Sequence, residues 1–178
     1  RLAVRGLGLR GGSGARAARE RGAARSVVGT GRRREGLEEA TRRGVVDAAA
    51  SVERAVDAAD LVVLATPVTA MAEQLRRAAP HLRPGTIVTD VGSVKGVLAE
   101  TLPGLLPPGV PYVGSHPMAG SHLRGVEHAR EDLFVDAPCV VTPTPQSDPA
   151  VVERLEAFWT RLGARVARRD PMAHDAEV

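Results

Sequence analysis

The chain has 178 residues, enough for one domain and at most part of a second. Hydrophobic residues make up 43% of it, yet only one Trp, one Tyr and two Phe are present, so the predicted core is aliphatic and helix-packed. The net charge is +3, with basic residues scattered rather than interleaved with aromatics, and no apolar run approaches the ~18 residues of a membrane span; nucleic-acid binding and membrane insertion are set aside.

Along the chain, short apolar runs alternate with helical patterns, which predicts βαβ units and a mostly parallel α/β sheet. Leu2–Val4 is the first predicted strand, followed by a helix over Gly12–Arg21 and a strand over Ser26–Gly29. Arg33–Arg43 reads as a charged amphipathic helix closed by Gly44. Leu61–Ala65 is nearly all apolar, as expected for a strand covered on both faces. A helix over Val68–Ala79, a strand over Thr86–Asp90 and a helix over Lys95–Leu102 follow. Tyr112–Gly114 and Cys139–Thr142 are predicted strands. Ala150–Leu162 is a predicted helix with Asp148 placed to cap it and Pro149 at its first position; Arg165–Ala167 would be a last strand. Cys139 is the only cysteine, which leaves no intramolecular disulfide or zinc spacing and favours a buried structural thiol over a nucleophile. The absence of an initial Met or leader, and an end in mid-pattern at HDAEV, predict a cytoplasmic fragment.

Gly6-Leu7-Gly8-Leu9-Arg10-Gly11 matches G-x-G-x-x-G between a predicted strand and a predicted helix. The first glycine permits the turn, the second lets backbone approach a pyrophosphate, and the third allows close helix–strand packing. A ligand-free glycine turn would carry the same letters. The acid expected about 20 residues further on, for a ribose 2′-hydroxyl, is missing. Gly31 is followed by Arg32, Arg33 and Arg34. A guanidinium there suits a 2′-phosphate, which tilts the cofactor toward NADP over NAD; alternatively these arginines only begin a solvated helix.

Two later loops carry candidate chemistry. Ser93 follows Asp90-Val91-Gly92 after a predicted strand, and His116 lies in GSHPMAGS, read as a loop. An imidazole accepts protons near neutral pH, and small neighbours leave room for a ligand. Lys95 reads equally well as a site residue or as a surface lysine at a helix start.

Taken in order, GLGLRGGS, LATPV, TDVGSVKG, GSHPMAGS, GVE at Gly125–Glu127, DLF at Asp132–Phe134, TPTP at Thr142–Pro145 and HD at His174–Asp175 resemble the prephenate/arogenate dehydrogenase family of tyrosine biosynthesis. The resemblance implies a Rossmann-type, doubly wound domain over 1–170. It also implies that 171–178 is the stub of a helical domain through which the full-length form makes a homodimer. The implied activity is oxidative decarboxylation of prephenate or arogenate with hydride transfer to NAD or NADP and no metal. By the same resemblance, Gly6, Leu7, Gly8, Leu9, Arg10 and Gly11 surround the pyrophosphate, and Thr66 and Pro67 line the cleft; Arg32 is assigned to the cofactor by its place after Gly31. His116 would draw off the substrate's hydroxyl proton, with Ser93 orienting it; Ser121 and His174 would complete the substrate pocket. Departures from the pattern are Arg5, Arg10, Gly14, Gly31, His122 and Arg124. They keep open a degenerate dinucleotide-binding or regulatory module without turnover. Another Rossmann hydroxy-acid dehydrogenase would share the glycine loop but has no reason to carry GSHPMAG.

Overall fold

A computed structural model describes residues 1–120, 123 and 125–178. Its first sheet contains β1 (Leu2–Arg5), β2 (Val27–Thr30), β3 (Ala48–Ala49), β4 (Leu61–Leu64) and β5 (Ile87–Asp90), in the order β3-β2-β1-β4-β5 and parallel throughout. Chain order reverses between β1 and β4. In open α/β sheets, the crevice beyond the carboxyl ends at such a switch point is where ligands bind.

The helices of this half are α1 (Leu9–Glu20), α2 (Arg34–Arg42), α3 (Val52–Asp57) and α4 (Val68–Ala78). Successive strand residues face opposite sides. Leu2 and Val4 of β1 therefore enter one core, with Ala15, Ala18, Leu155 and Trp159. Ala3 enters the other, with Val56, Met71 and Leu75. Burial on both faces is what the all-apolar β4 anticipates.

After α5 (Gly96–Thr101), the chain builds a second sheet from β6 (Gly114–Pro117), β7 (Pro138–Thr142) and β8 (Arg165–Arg168), with α6 (Pro149–Arg161) between β7 and β8. β6 and β7 are antiparallel and β7 and β8 parallel. A single parallel bridge, Val88–Tyr112, joins β5 to the segment leading into β6, so both strands point their carboxyl ends to one edge. The last helix, α7 (Pro171–Glu177), packs against α5 and β7.

Three sequence expectations are corrected. Helix α1 starts at Leu9, not Gly12, so its first turn grows directly out of the glycine loop. Glycine is a poor helix former, but Gly11 and Gly12 are buried, Gly11 against the glycine turn and Gly12 against Val126 and Ala129, and packing overrides propensity. β3 and α3 were not anticipated; α3 is short but buries Val52, Ala55 and Val56 and is capped by the Ser51 hydroxyl. The sixth strand covers Gly114–Pro117 rather than Tyr112–Gly114, and His116 therefore lies in a strand, not a loop. Gly, Ser, His and Pro have little strand preference of their own; pairing with β7, His116 opposite Val140, imposes the conformation.

Candidate active site

The glycine turn is built for close approach. Gly6 adopts φ +97°, open to glycine but strained for other residues, and its N–H donates to the Thr30 carbonyl at 2.9 Å. A Cβ on Gly11 would collide with the Gly6 carbonyl oxygen and lie 2.8 Å from the Ala65 Cβ, so helix and turn pack only because that position is bare. Gly8, the N-cap of α1, differs: a Cβ there would meet nothing within 4 Å. Its open side faces a cleft of about 1260 Å³. The unpaired N–H groups of a helix N-terminus are suited to an anion.

Gly31, Arg32, Arg33, Thr66, Pro67, Ser93 and Gly120 are among the residues that line the cleft. The Thr66 hydroxyl is buried and has no hydrogen-bond partner among the described residues. A bare helix N-terminus, a glycine with no Cβ in the way and an orphaned hydroxyl at one cleft fit a dinucleotide. Arg5, a departure in sequence terms, also lines this cleft although only 5% exposed. It donates to Thr30 Oγ1 at 3.1 Å and to Gln74 Oε1 at 2.7 Å, and among the described residues no carboxylate pairs with it. Burial pulls its pKa down, and the charges of Arg77 and Arg32 add to the effect.

At the carboxyl edge of β5, a buried polar cluster holds the site loops. Asp90 is fully buried; it accepts from the Gly92 N–H at 2.6 Å, from the Tyr112 hydroxyl at 2.7 Å and from the Lys95 ammonium. Lys95 Nζ also donates to the Ser115 carbonyl at 3.0 Å, and the Ser115 hydroxyl donates to the Asp90 carbonyl at 2.6 Å. Lys95 is 0% exposed, which rules out the surface-lysine reading. Burial lowers its pKa, opposed by the Asp90 carboxylate. Burial likewise drives the Tyr112 phenol well above its ordinary value, with the Asp90 charge adding to it. The cluster ties the loop carrying Ser93 to the strand carrying His116.

His116 is 5% exposed. Its Nδ1 lies 2.9 Å from His174 Nε2, and His174 Nδ1 lies 2.8 Å from Asp175 Oδ1. The two rings meet edge to face at 5.1 Å between centroids. Burial holds the His116 pKa down at about 4, with His174, Lys95 and Arg10 contributing like charge and Asp175 opposing them. The ring is neutral at physiological pH. Arg10 donates to the Ala119 carbonyl at 2.9 Å and so joins the glycine helix to the segment leaving β6.

Gly6, Leu7, Gly8, Leu9, Arg10, Arg32, Thr66, Pro67 and Ser93 all line the one cleft. Gly11 sits behind the turn as packing. Ser93 is exposed to the cleft, whereas His116 is buried on the neighbouring strand, and no hydrogen bond joins their side chains. His174 is 1% exposed with both ring nitrogens engaged, which leaves it no free nitrogen for a ligand. Ser121, His122 and Arg124 lie outside the described residues. Sequence reasoning missed Asp90, Arg5 and Asp175 as site residues. Arg5 carried a signal, since a charge within an otherwise apolar strand demands an explanation.

A family model for the nucleotide-binding domain of prephenate dehydrogenase matches residues 14–168. The chain belongs to this family. The prephenate dehydrogenase of Bacillus subtilis is 34% identical over 178 residues, which is 98% of this chain and 47% of that protein. The nucleotide-binding domain thus spans about half the length of this curated relative. The crystal structure of Synechocystis arogenate dehydrogenase superposes with a TM-score of 0.92 at 36% identity, over 99% of this chain and 62% of the other. The prephenate dehydrogenase of Aquifex aeolicus, in complex with hydroxyphenyl propionate and NAD+, gives 0.90 at 30% identity over 98% of this chain and 61% of the other. The mostly parallel sheet expected from the βαβ alternation, and the Rossmann-type fold implied by the resemblance, are therefore the fold of this nucleotide-binding domain.

Proposed function

We propose that this domain is the cofactor-binding part of an enzyme that oxidatively decarboxylates prephenate or arogenate in tyrosine biosynthesis. The observation that carries the reading is a buried, neutral imidazole, His116, on the edge strand whose exit forms the wall of a dinucleotide cleft. The dinucleotide, when bound, supplies the hydride acceptor. As the carbon bearing the substrate hydroxyl gives up its hydride, His116 takes the hydroxyl proton on its unprotonated nitrogen, and Ser93 orients that hydroxyl. The bond to the ring carboxylate then breaks and its electron pair enters the ring. Carbon dioxide leaves, and the proton returns to the oxygen of the phenol. A neutral ring is free to accept a proton, and at about 4 it is a weaker base than an ordinary imidazole.

The cofactor end favours NADP. Gly31 stands where a ribose-binding acid would be, Arg32 is exposed at the cleft, and Arg5 lines the same cleft with no carboxylate partner among the described residues. A guanidinium pair suits the extra phosphate. A homodimer formed through the further length found in its relatives, and a cytoplasmic setting, belong to the same proposal; no helix among the described residues is long and apolar enough to cross a membrane.

The test is turnover by the complete protein with prephenate and arogenate. His116→Asn is expected to lower kcat by about 10²–10⁴-fold with near-normal cofactor affinity. A variant that keeps its rate refutes the role given to His116.

A further inference from the structure

The three residues His116, His174 and Asp175 form a hydrogen-bonded row, and its direction can be read from its far end. Asp175 is the fixed terminus. Its Oδ1 accepts the Lys95 backbone N–H at 2.7 Å and its Oδ2 the Gly96 backbone N–H at 2.8 Å, at the start of α5. Burial works against its charge, but the Gly96 N–H, His174 and the Lys95 N–H outweigh it and hold the carboxyl below its ordinary value. An ionised carboxylate can only accept. His174 Nδ1, 2.8 Å away, must therefore carry the hydrogen. A neutral imidazole with hydrogen on Nδ1 has a bare Nε2. His174 Nε2 faces His116 Nδ1 at 2.9 Å, so His116 Nδ1 is in turn the donor. The consequence falls on the other side of the second ring: His116 Nε2 has no hydrogen.

We infer that His174 and Asp175 are positioning residues that lock His116 in the Nδ1–H tautomer and leave Nε2 as its basic nitrogen. This assignment rests on the reading of His116 as the proton acceptor. It gives His174 a role other than direct contact with substrate, in keeping with its burial and its two occupied nitrogens. It also explains why α7 is folded onto α5: the helix delivers Asp175 to two backbone N–H groups and His174 to the ring in β6. Which nitrogen of a histidine is free is commonly set in this way, by the bond the other nitrogen makes. In a Ser-His-Asp site, loss of the orienting carboxylate leaves the geometry intact but the tautomer wrong, and costs about 10⁴ in kcat.

Two measurements on the complete protein test the inference. The first is long-range ¹H–¹⁵N correlation on protein labelled with ¹⁵N-histidine at pH 7, with the His116 signals identified by their loss in His116→Asn. Expected is a single neutral His116 tautomer with hydrogen on Nδ1 and a bare Nε2. Hydrogen on Nε2, or an average over both tautomers, overturns the inference whatever the activity. The second compares two variants. In His174→Gln the amide oxygen can accept from His116 while the amide NH₂ donates to Asp175; His174→Leu can do neither. The Leu variant is expected to lose about 10²–10⁴-fold in kcat with little change in KM, and the Gln variant to recover most of that loss. Equal kcat in the two variants contradicts it. If the tautomer is as stated but His116→Asn turns over normally, the proposed function fails and the hydrogen-bonded row stands.

Discussion

His116 and Lys95 show how burial sets the chemistry of single residues. The ordinary pKa of a histidine is near 6.5, and in this fold the ring is held at about 4, first by burial and then by the charges around it. Between those values the unfolded chain binds a proton at this residue that the folded chain does not. Stability therefore rises with pH across this window. The His116 contribution is fully present above 6.5 and is lost as pH falls toward about 4. Urea denaturation of the wild type and of His116→Asn should show a stability difference that shrinks as pH is lowered from 6.5 to 4; a difference constant across that range contradicts the assignment. Lys95 is a second case: its ammonium lies against the Asp90 carboxylate with neither side chain exposed, and burial lowers its pKa while that carboxylate opposes the shift. Removing one partner of a buried ion pair leaves the other uncompensated and typically costs about 3–5 kcal/mol. Lys95→Met is expected to destabilise by roughly that amount in chemical denaturation. A loss below about 1 kcal/mol, the ordinary worth of an exposed pair, would mean that the pair is not buried in solution.

At the scale of elements, helix α1 carries the strongest conflict between propensity and position. Gly11 and Gly12 are needed bare, because a Cβ on Gly11 would strike the turn and one on Gly12 would lie 3.0 Å from the Ala129 Cβ. Gly14 has no such reason. A Cβ there would make only ordinary contact, 3.9 Å from Phe134 Cε2, and the backbone is helical. Gly14→Ala is expected to stabilise the domain by about 0.5–1 kcal/mol, read as a raised melting temperature. A lowered one would show that the space beside Phe134 is tighter than it looks. The same scale explains which elements were legible in the sequence. Asp148-Pro149 announces α6, and the Asp148 side chain caps it as expected, 2.8 Å from the Ala150 N–H. Asp170-Pro171 is the same signal, and Asp170 caps α7 in the same way, yet so few residues follow that no apolar period could develop. β6 was misplaced because its strand form comes from β7, distant in sequence, and not from its own side chains.

For the whole molecule, order and alternation were enough to read a parallel α/β sheet, because strands buried on both faces leave unbroken apolar runs. The glycine loop and the Ser93 loop were legible for a related reason: each follows a predicted strand. Polar groups that reach the site from elsewhere were not legible. Arg5 comes from the first strand, Lys95 from a helix start and Asp175 from the last helix, and only folding brings them to the carboxyl edge. The cleft at the glycine turn is the feature on which the proposed chemistry depends, and Gly8 is its most direct probe, because it lines the cleft and a Cβ there would meet nothing within 4 Å. The decisive measurement is calorimetric titration of the wild type and of Gly8→Ala with NADP and NAD. The expected result is saturable binding, tighter for NADP than for NAD, weakened about tenfold or more (~1.4 kcal/mol) by Gly8→Ala at unchanged melting temperature. A folded wild type that binds neither dinucleotide, or a Gly8→Ala protein that binds as tightly as the wild type, would contradict it.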